Sequence, residues 1–141
     1  MNRGNIKITE TVHQKFVVEV KLVDENLWLT KHEIADLFNV TIATISNSLR
    51  SIFKSGILRE EDVTRIHLFD RNEKPCQTTL YNLEALIFIS YRVASEEAKV
   101  FRQWVINALC EYSGGKKNLP AGEVLVMYNL VKDISLISNL N

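Results

Sequence analysis

Thr30 and Thr41 each stand just ahead of an amphipathic run, and only Asn39 and Val40 separate the first run from the second cap. This spacing constrains the chain more than any other feature, because two short helices must meet at a tight corner and share one apolar seam. Thr30 and Glu33 form a capping box before Ile34, Leu37 and Phe38. Asn39, the non-glycine residue that best tolerates a left-handed backbone, is the expected stop of the first helix. Thr41 caps the second, in which Ile45, Leu49, Ile52 and Phe53 recur at helical spacing until Gly56 ends it.

The stretch KHEIADLFNVTIATISNSLR, residues 31–50, fits a helix-turn-helix template. Ala35 is the small residue where the helices approach, and Ile34, Phe38, Val40 and Ile45 occupy positions whose side chains fill the gap. The sequence departs from the template at Asn39, where glycine is commoner, and at Ser48, which takes a late apolar slot beside Leu49. In such a motif the second helix enters the major groove with its N-terminal residues toward base edges. Here those residues are Thr41, Ile42, Ala43 and Thr44, with Ser46 and Asn47 one turn on. Asn bonds adenine bidentately, and Ile42 or Ala43 suits a thymine methyl. Arg50 and Lys54 lie further along, where they reach phosphates. From Thr41 to Arg59 there are three basic residues and no acidic one. The competing reading is a core helical hairpin whose polar face is merely solvated.

Elsewhere the pattern predicts an α+β fold, with the helical pair flanked by β-hairpins and followed by further helices. The first fifteen residues lack periodicity and read as a loosely held start. FVVEVKLV, residues 16–23, reads as a strand that returns through Asp24-Glu25-Asn26 to Leu27-Trp28-Leu29. ILREED, residues 57–62, is an acidic connector, and Thr64–Phe69 with Gln77–Tyr81 is a second hairpin whose turn spans Asp70 to Pro75. Asn82 caps a nearly all-apolar helix, LEALIFIS, expected to be buried. Ser95-Glu96-Glu97 starts a helix whose stripe is Ala98, Phe101, Trp104, Val105, Ala108, Leu109 and Tyr112. The domain is expected over residues 1–112, with a linker at 113–122 and an apolar C-terminal helix at 123–141 for dimerisation or docking.

Composition sets the remaining bounds. The 141 residues are 46% hydrophobic, enough for one globular core. Seventeen basic residues balance seventeen acidic ones, so a nucleic-acid role must rest on a local basic surface. Cys76 and Cys110 lack metal spacing, and no signal peptide is recognisable, which makes a reducing cytoplasm the expectation. Apolar runs fall short of the roughly 18 residues a membrane span needs. His13, His32 and His67 have no partners at ligand spacing, and no nucleophile elbow or phosphate loop is present. Neither an enzyme, a metal nor a cofactor is expected.

Three blocks also carry a resemblance. LWLTKHEIADLFNVTIATISNSLRSIFKSGIL, LYNLEALIFISYRV and FRQWVINALCEY together resemble the RhuM family of bacterial proteins, over roughly residues 16–112. The YRV and FRQW elements are the distinctive part, and the last block is similar to the end of the N-terminal domain of phage antirepressors. The resemblance implies a DNA-binding module, in a family often labelled as virulence proteins. Some relatives carry a C-terminal Fic domain, whose catalytic motif is missing here because no histidine follows His67. The function expected is double-stranded DNA recognition in transcriptional control, as a homodimer. The alternative is a non-catalytic module that docks a partner protein through the C-terminal helix.

Overall fold

The computed structural model describes residues 2–13, 15–113 and 123–131, for the last of which the backbone alone is considered. It is α+β, with two three-stranded antiparallel sheets and a layer of helices between and beside them.

The first sheet has the order β1 (Asn5–Glu10), β2 (Lys15–Val23), β6 (Glu123–Val131). The expectation of a loose N-terminus is corrected here: Asn5–Glu10 pairs with β2 from Asn5↔Lys21 to Glu10↔Phe16. Ile6 and Ile8 alternate with Asn5, Lys7 and Thr9, a short period-two signal that its polar half obscures. Gly4 leads into it at φ 71, where an added Cβ would lie 2.5 Å from the Lys21 carbonyl oxygen.

The C-terminal helix is likewise corrected at 123–131, which form strand β6, paired with β2 from Lys15↔Val131 to Val23↔Glu123. EVLVMYNLV satisfies both a three-four and a two-residue spacing, and periodicity alone does not separate them in so apolar a run. The second edge of β2, whose Phe16, Val18 and Val20 are buried, decides in favour of a strand. Residues 132–141 of the expected helix, and 114–122 of the expected linker, lie outside the described residues.

The first expected hairpin is half present. Asp24 and Glu25 turn the chain with positive φ, and Val23 and Asn26 exchange both backbone hydrogen bonds at 2.8 and 3.1 Å. The return strand then leaves β2. β3 (Trp28–Leu29) pairs with Tyr81 and Asn82, giving the second sheet the order β3, β5 (Lys74–Asn82), β4 (Thr64–Arg71). Asn26 drives the separation, because its side-chain oxygen accepts the Leu27 and Leu83 backbone N–H groups at 2.9 Å each.

The β4–β5 hairpin is present and longer than expected. Its turn is not the six residues Asp70–Pro75 but two, Asn72 and Glu73, both with positive φ, because the ladder continues to Arg71↔Lys74. The end of the acidic connector runs into one helical turn, α3 (Glu60–Val63).

Helices α1 (Lys31–Phe38), α2 (Ile42–Ser55), α4 (Leu83–Ser90) and α5 (Glu96–Ser113) enclose the core with the sheets. Phe38 and Phe101 are fully buried and meet edge-on, with ring centres 5.5 Å apart. In α4, Ala85, Leu86 and Ile89 are buried while Ile87 and Phe88 are half-buried. In α5 the expected stripe ends early. Ala98, Phe101 and Trp104 are buried together with Val100, Val105 and Ala108 are half-buried, and Leu109 is 65% exposed. The Tyr112 side chain lies outside the described residues.

Candidate nucleic-acid interface

The candidate site is the outward face of α2, and local chemistry sets its orientation. Thr30 accepts the Glu33 backbone N–H at 3.1 Å while the Glu33 carboxylate accepts that of Thr30 at 2.8 Å, completing the expected capping box. Asn39 stops α1 in the left-handed region, at φ 55 and ψ 49. The following Val40 N–H returns to the Ala35 carbonyl at 3.0 Å, which closes the corner. Thr41 then accepts the Thr44 N–H at 3.1 Å, and Gly56 ends α2 at φ 81.

Ile34, Ala35, Phe38, Ile45, Leu49 and Ile52 are buried along the seam between the helices. Ser48, the departure from the apolar pattern, is also buried, and its hydroxyl donates to the Thr44 carbonyl at 2.9 Å. The polar group is thereby satisfied within its own helix, and Leu49 supplies the apolar contact.

Of the residues expected to read or hold a ligand, Thr41, Ile42, Ala43, Asn47, Arg50 and Lys54 are exposed, whereas Thr44 and Ser46 are half-buried. Two of them have a prior structural duty. The Thr41 and Thr44 hydroxyls lie 2.9 Å apart within the cap, so their oxygens already serve the helix start. Asn47 and Arg50 act as a pair, the Arg50 guanidinium donating to Asn47 Oδ1 at 3.0 Å. Neither Arg50 nor Lys54 faces a carboxylate among the described residues, and α2 contains no acidic residue.

Three features around α2 were not legible as local patterns. Arg92, in the YRV element, donates to Ser51 Oγ at 2.8 Å from a position forty-one residues away. Arg3 holds Glu33 through hydrogen bonds of 2.9 and 3.2 Å. The second half of β5 faces the helical pair across a cleft of about 330 Å³, with Lys31, His32 and Ile42 on one wall and Gln77, Thr79 and Tyr81 on the other. Burial, with Glu60 nearby, pushes the Tyr81 phenol above its ordinary pKa, so it remains a neutral hydroxyl.

Among the described residues β4 is an edge strand of the second sheet, with Ile66 54% and Leu68 73% exposed. Among the described residues no group of three His, Cys, Asp or Glu is disposed to hold a metal ion. Cys76 is half-buried, Cys110 is exposed, and both are free thiols. No described helix is long and apolar enough to cross a membrane. No family model, curated protein or solved structure matches the chain.

Proposed function

We propose that this chain binds double-stranded DNA through the outward face of α2, as a non-catalytic module acting in transcriptional control. The observation that carries the reading is the composition of that face: Ala43, Asn47, Arg50 and Lys54 are exposed together on a helix without any acid. Helical spacing puts these four on one stripe, opposite the buried Ile45, Leu49 and Ile52. A buried seam behind and a polar, acid-free stripe in front is what a helix-turn-helix requires of its recognition helix.

In this reading Ile42 and Ala43 meet base edges first, and Asn47 reads a base one turn on. Thr41, Thr44 and Ser46 contribute hydroxyls at the margin, while Arg50 and Lys54 hold phosphates. The β4–β5 hairpin lies beside the start of α2 and offers a second element to follow the duplex backbone. So few cations give modest affinity, and a homodimer spanning two half-sites supplies the rest. The resemblance to the RhuM family points the same way, and the reading places the protein in the cytoplasm.

The test is fluorescence anisotropy of the purified protein against the DNA upstream of its own coding sequence and a scrambled duplex, at low and at physiological salt. Tight binding to one duplex that survives added salt supports the reading. A folded protein that binds neither duplex overturns it. A docking module is the second reading, favoured by the exposed Ile66 and Leu68 on the edge strand β4.

A further inference from the structure

We infer that Arg92, at the corner between α4 and α5, is a third phosphate-holding residue of the α2 surface. This inference rests on the DNA-binding reading above and extends it to a residue on a different element. Ser51 is exposed and follows Asn47 by one helical turn, so it belongs to the same outward face at its flank. The Arg92 guanidinium reaches that flank and donates one hydrogen bond to Ser51 Oγ, 2.8 Å away.

The corner that carries Arg92 is fixed from several sides. The Arg92 backbone N–H donates to the Ile89 carbonyl at 2.9 Å, and Val93 beside it is buried. Arg102 caps the end of α4 by donating to the Ser90 carbonyl, and its guanidinium lies 5.7 Å from the centre of the Tyr91 ring. Arg92 itself is exposed and makes no ion pair among the described residues. A guanidinium carries five N–H donors, so bonding to one serine leaves the rest of the fork open. Such a fork matches two oxygens of a phosphate. Its side chain is already ordered on α2, which lowers the entropy lost on contact.

Arg50, Lys54 and Arg92 then form a basic margin to an acid-free helix in a chain of zero net charge. A solvated charge has no need of an anchor on the reading helix, whereas a backbone contact gains from being held at a fixed offset from it.

The experiment measures affinity for a mixed-sequence duplex across a salt series, using the full chain and Arg92→Ala, Arg92→Gln and Ser51→Ala. A phosphate contact is independent of base sequence, so no operator needs to be known. Arg92→Ala and Arg92→Gln are each expected to lower the log–log salt slope by about one. Raising salt from about 50 to about 200 mM then costs these variants three- to fourfold less affinity than wild type. Ser51→Ala keeps the charge and therefore the wild-type slope, with weaker binding at every salt.

A merely structural staple gives the opposite pattern, a lowered melting temperature in Arg92→Ala with the slope unmoved. A wild-type slope in Arg92→Gln, in a chain that binds DNA, overturns this inference and leaves the α2 reading standing. A folded wild type that binds no duplex at low salt removes both.

Discussion

The Arg3 guanidinium meets the Glu33 carboxylate through two hydrogen bonds, 2.9 and 3.2 Å long, and so fastens the segment before β1 to the capping box of α1. The same Arg3 exchanges hydrogen bonds with Trp28, its guanidinium donating to the Trp28 carbonyl and its own carbonyl accepting the Trp28 N–H. One arginine thus joins the first sheet, β3 and the helical pair.

That arrangement has a pH signature. Burial pushes the Glu33 carboxyl up, but hydrogen bonds from Arg3 and from the Thr30 backbone, with the charge of Arg3, outweigh it and hold the group below 4.5. A carboxylate whose folded pKa is depressed contributes stability that is fully present above the unfolded pKa and is lost as pH falls through the folded one. Glu33→Gln should therefore lower the melting temperature at neutral pH, and the deficit should shrink below about pH 4.5. Thermal melts of both proteins from pH 3 to 7 check this, and a deficit of constant size would show that the carboxylate charge contributes nothing.

The turn between β4 and β5 gives a stabilising substitution. Glu73 sits at φ 63, in the region where a side chain crowds the backbone and glycine does not. Glu73→Gly is expected to raise stability by about 0.5–1 kcal/mol, the relief of strain exceeding the added freedom of the unfolded chain. Urea unfolding reads it directly. No gain, or a loss, would contradict the two-residue turn.

Stops and caps were legible from sequence because each is decided within a few residues. Thr30, Asn39, Thr41, Gly56 and Asn82 fill the roles their side chains and backbone preferences imply. What sequence missed depends on partners far along the chain. Asn5–Glu10 becomes a strand because β2 offers an edge, and Glu123–Val131 takes the opposite edge although its spacing also fits a helix. Trp28 and Leu29 follow Tyr81 and Asn82 instead of returning along β2. In the candidate site the exposed face of α2 was readable from helical period alone. The Ser51–Arg92 contact was not, since nothing local to either residue implies the other.

The core offers a stability test of the seam between α1 and α5. Phe38 has no exposed surface and packs against the Phe101 ring. Phe38→Ala is expected to cost about 3–5 kcal/mol, lost transfer energy together with an incompletely collapsed cavity. Chemical denaturation measures it, and a cost below about 1 kcal/mol would mean that the seam is looser than described.

The edge strand β4 separates the two functional readings. Leu68 is 73% exposed, so Leu68→Lys should leave the melting temperature unchanged while adding a charge to the edge. If α2 reads DNA, this variant binds a duplex as wild type does or slightly better, because an added cation attracts phosphate. If the edge docks a partner protein, the variant loses that partner in a pull-down while duplex binding stays absent in both proteins.

The Asn47–Arg50 pair makes the sharpest demand on the DNA reading. Arg50 donates to Asn47 Oδ1, the atom that an adenine amino group would otherwise engage. A base contact by Asn47 either shares Oδ1, which has two lone pairs, with Arg50 or frees it as Arg50 swings toward the backbone, so the two residues act as a unit. Arg50→Ala is expected to weaken all duplexes alike and to lower the salt slope by about one. Asn47→Ala should instead relax selectivity at a single base position, costing about 1–3 kcal/mol on the preferred duplex and little elsewhere. In the double variant the two costs should fail to add, because each single change already alters the other side chain's alternatives. Strict additivity in anisotropy titrations would show that the contact between them is irrelevant to binding. Wild-type behaviour of all three variants would remove this face of α2 as the reader.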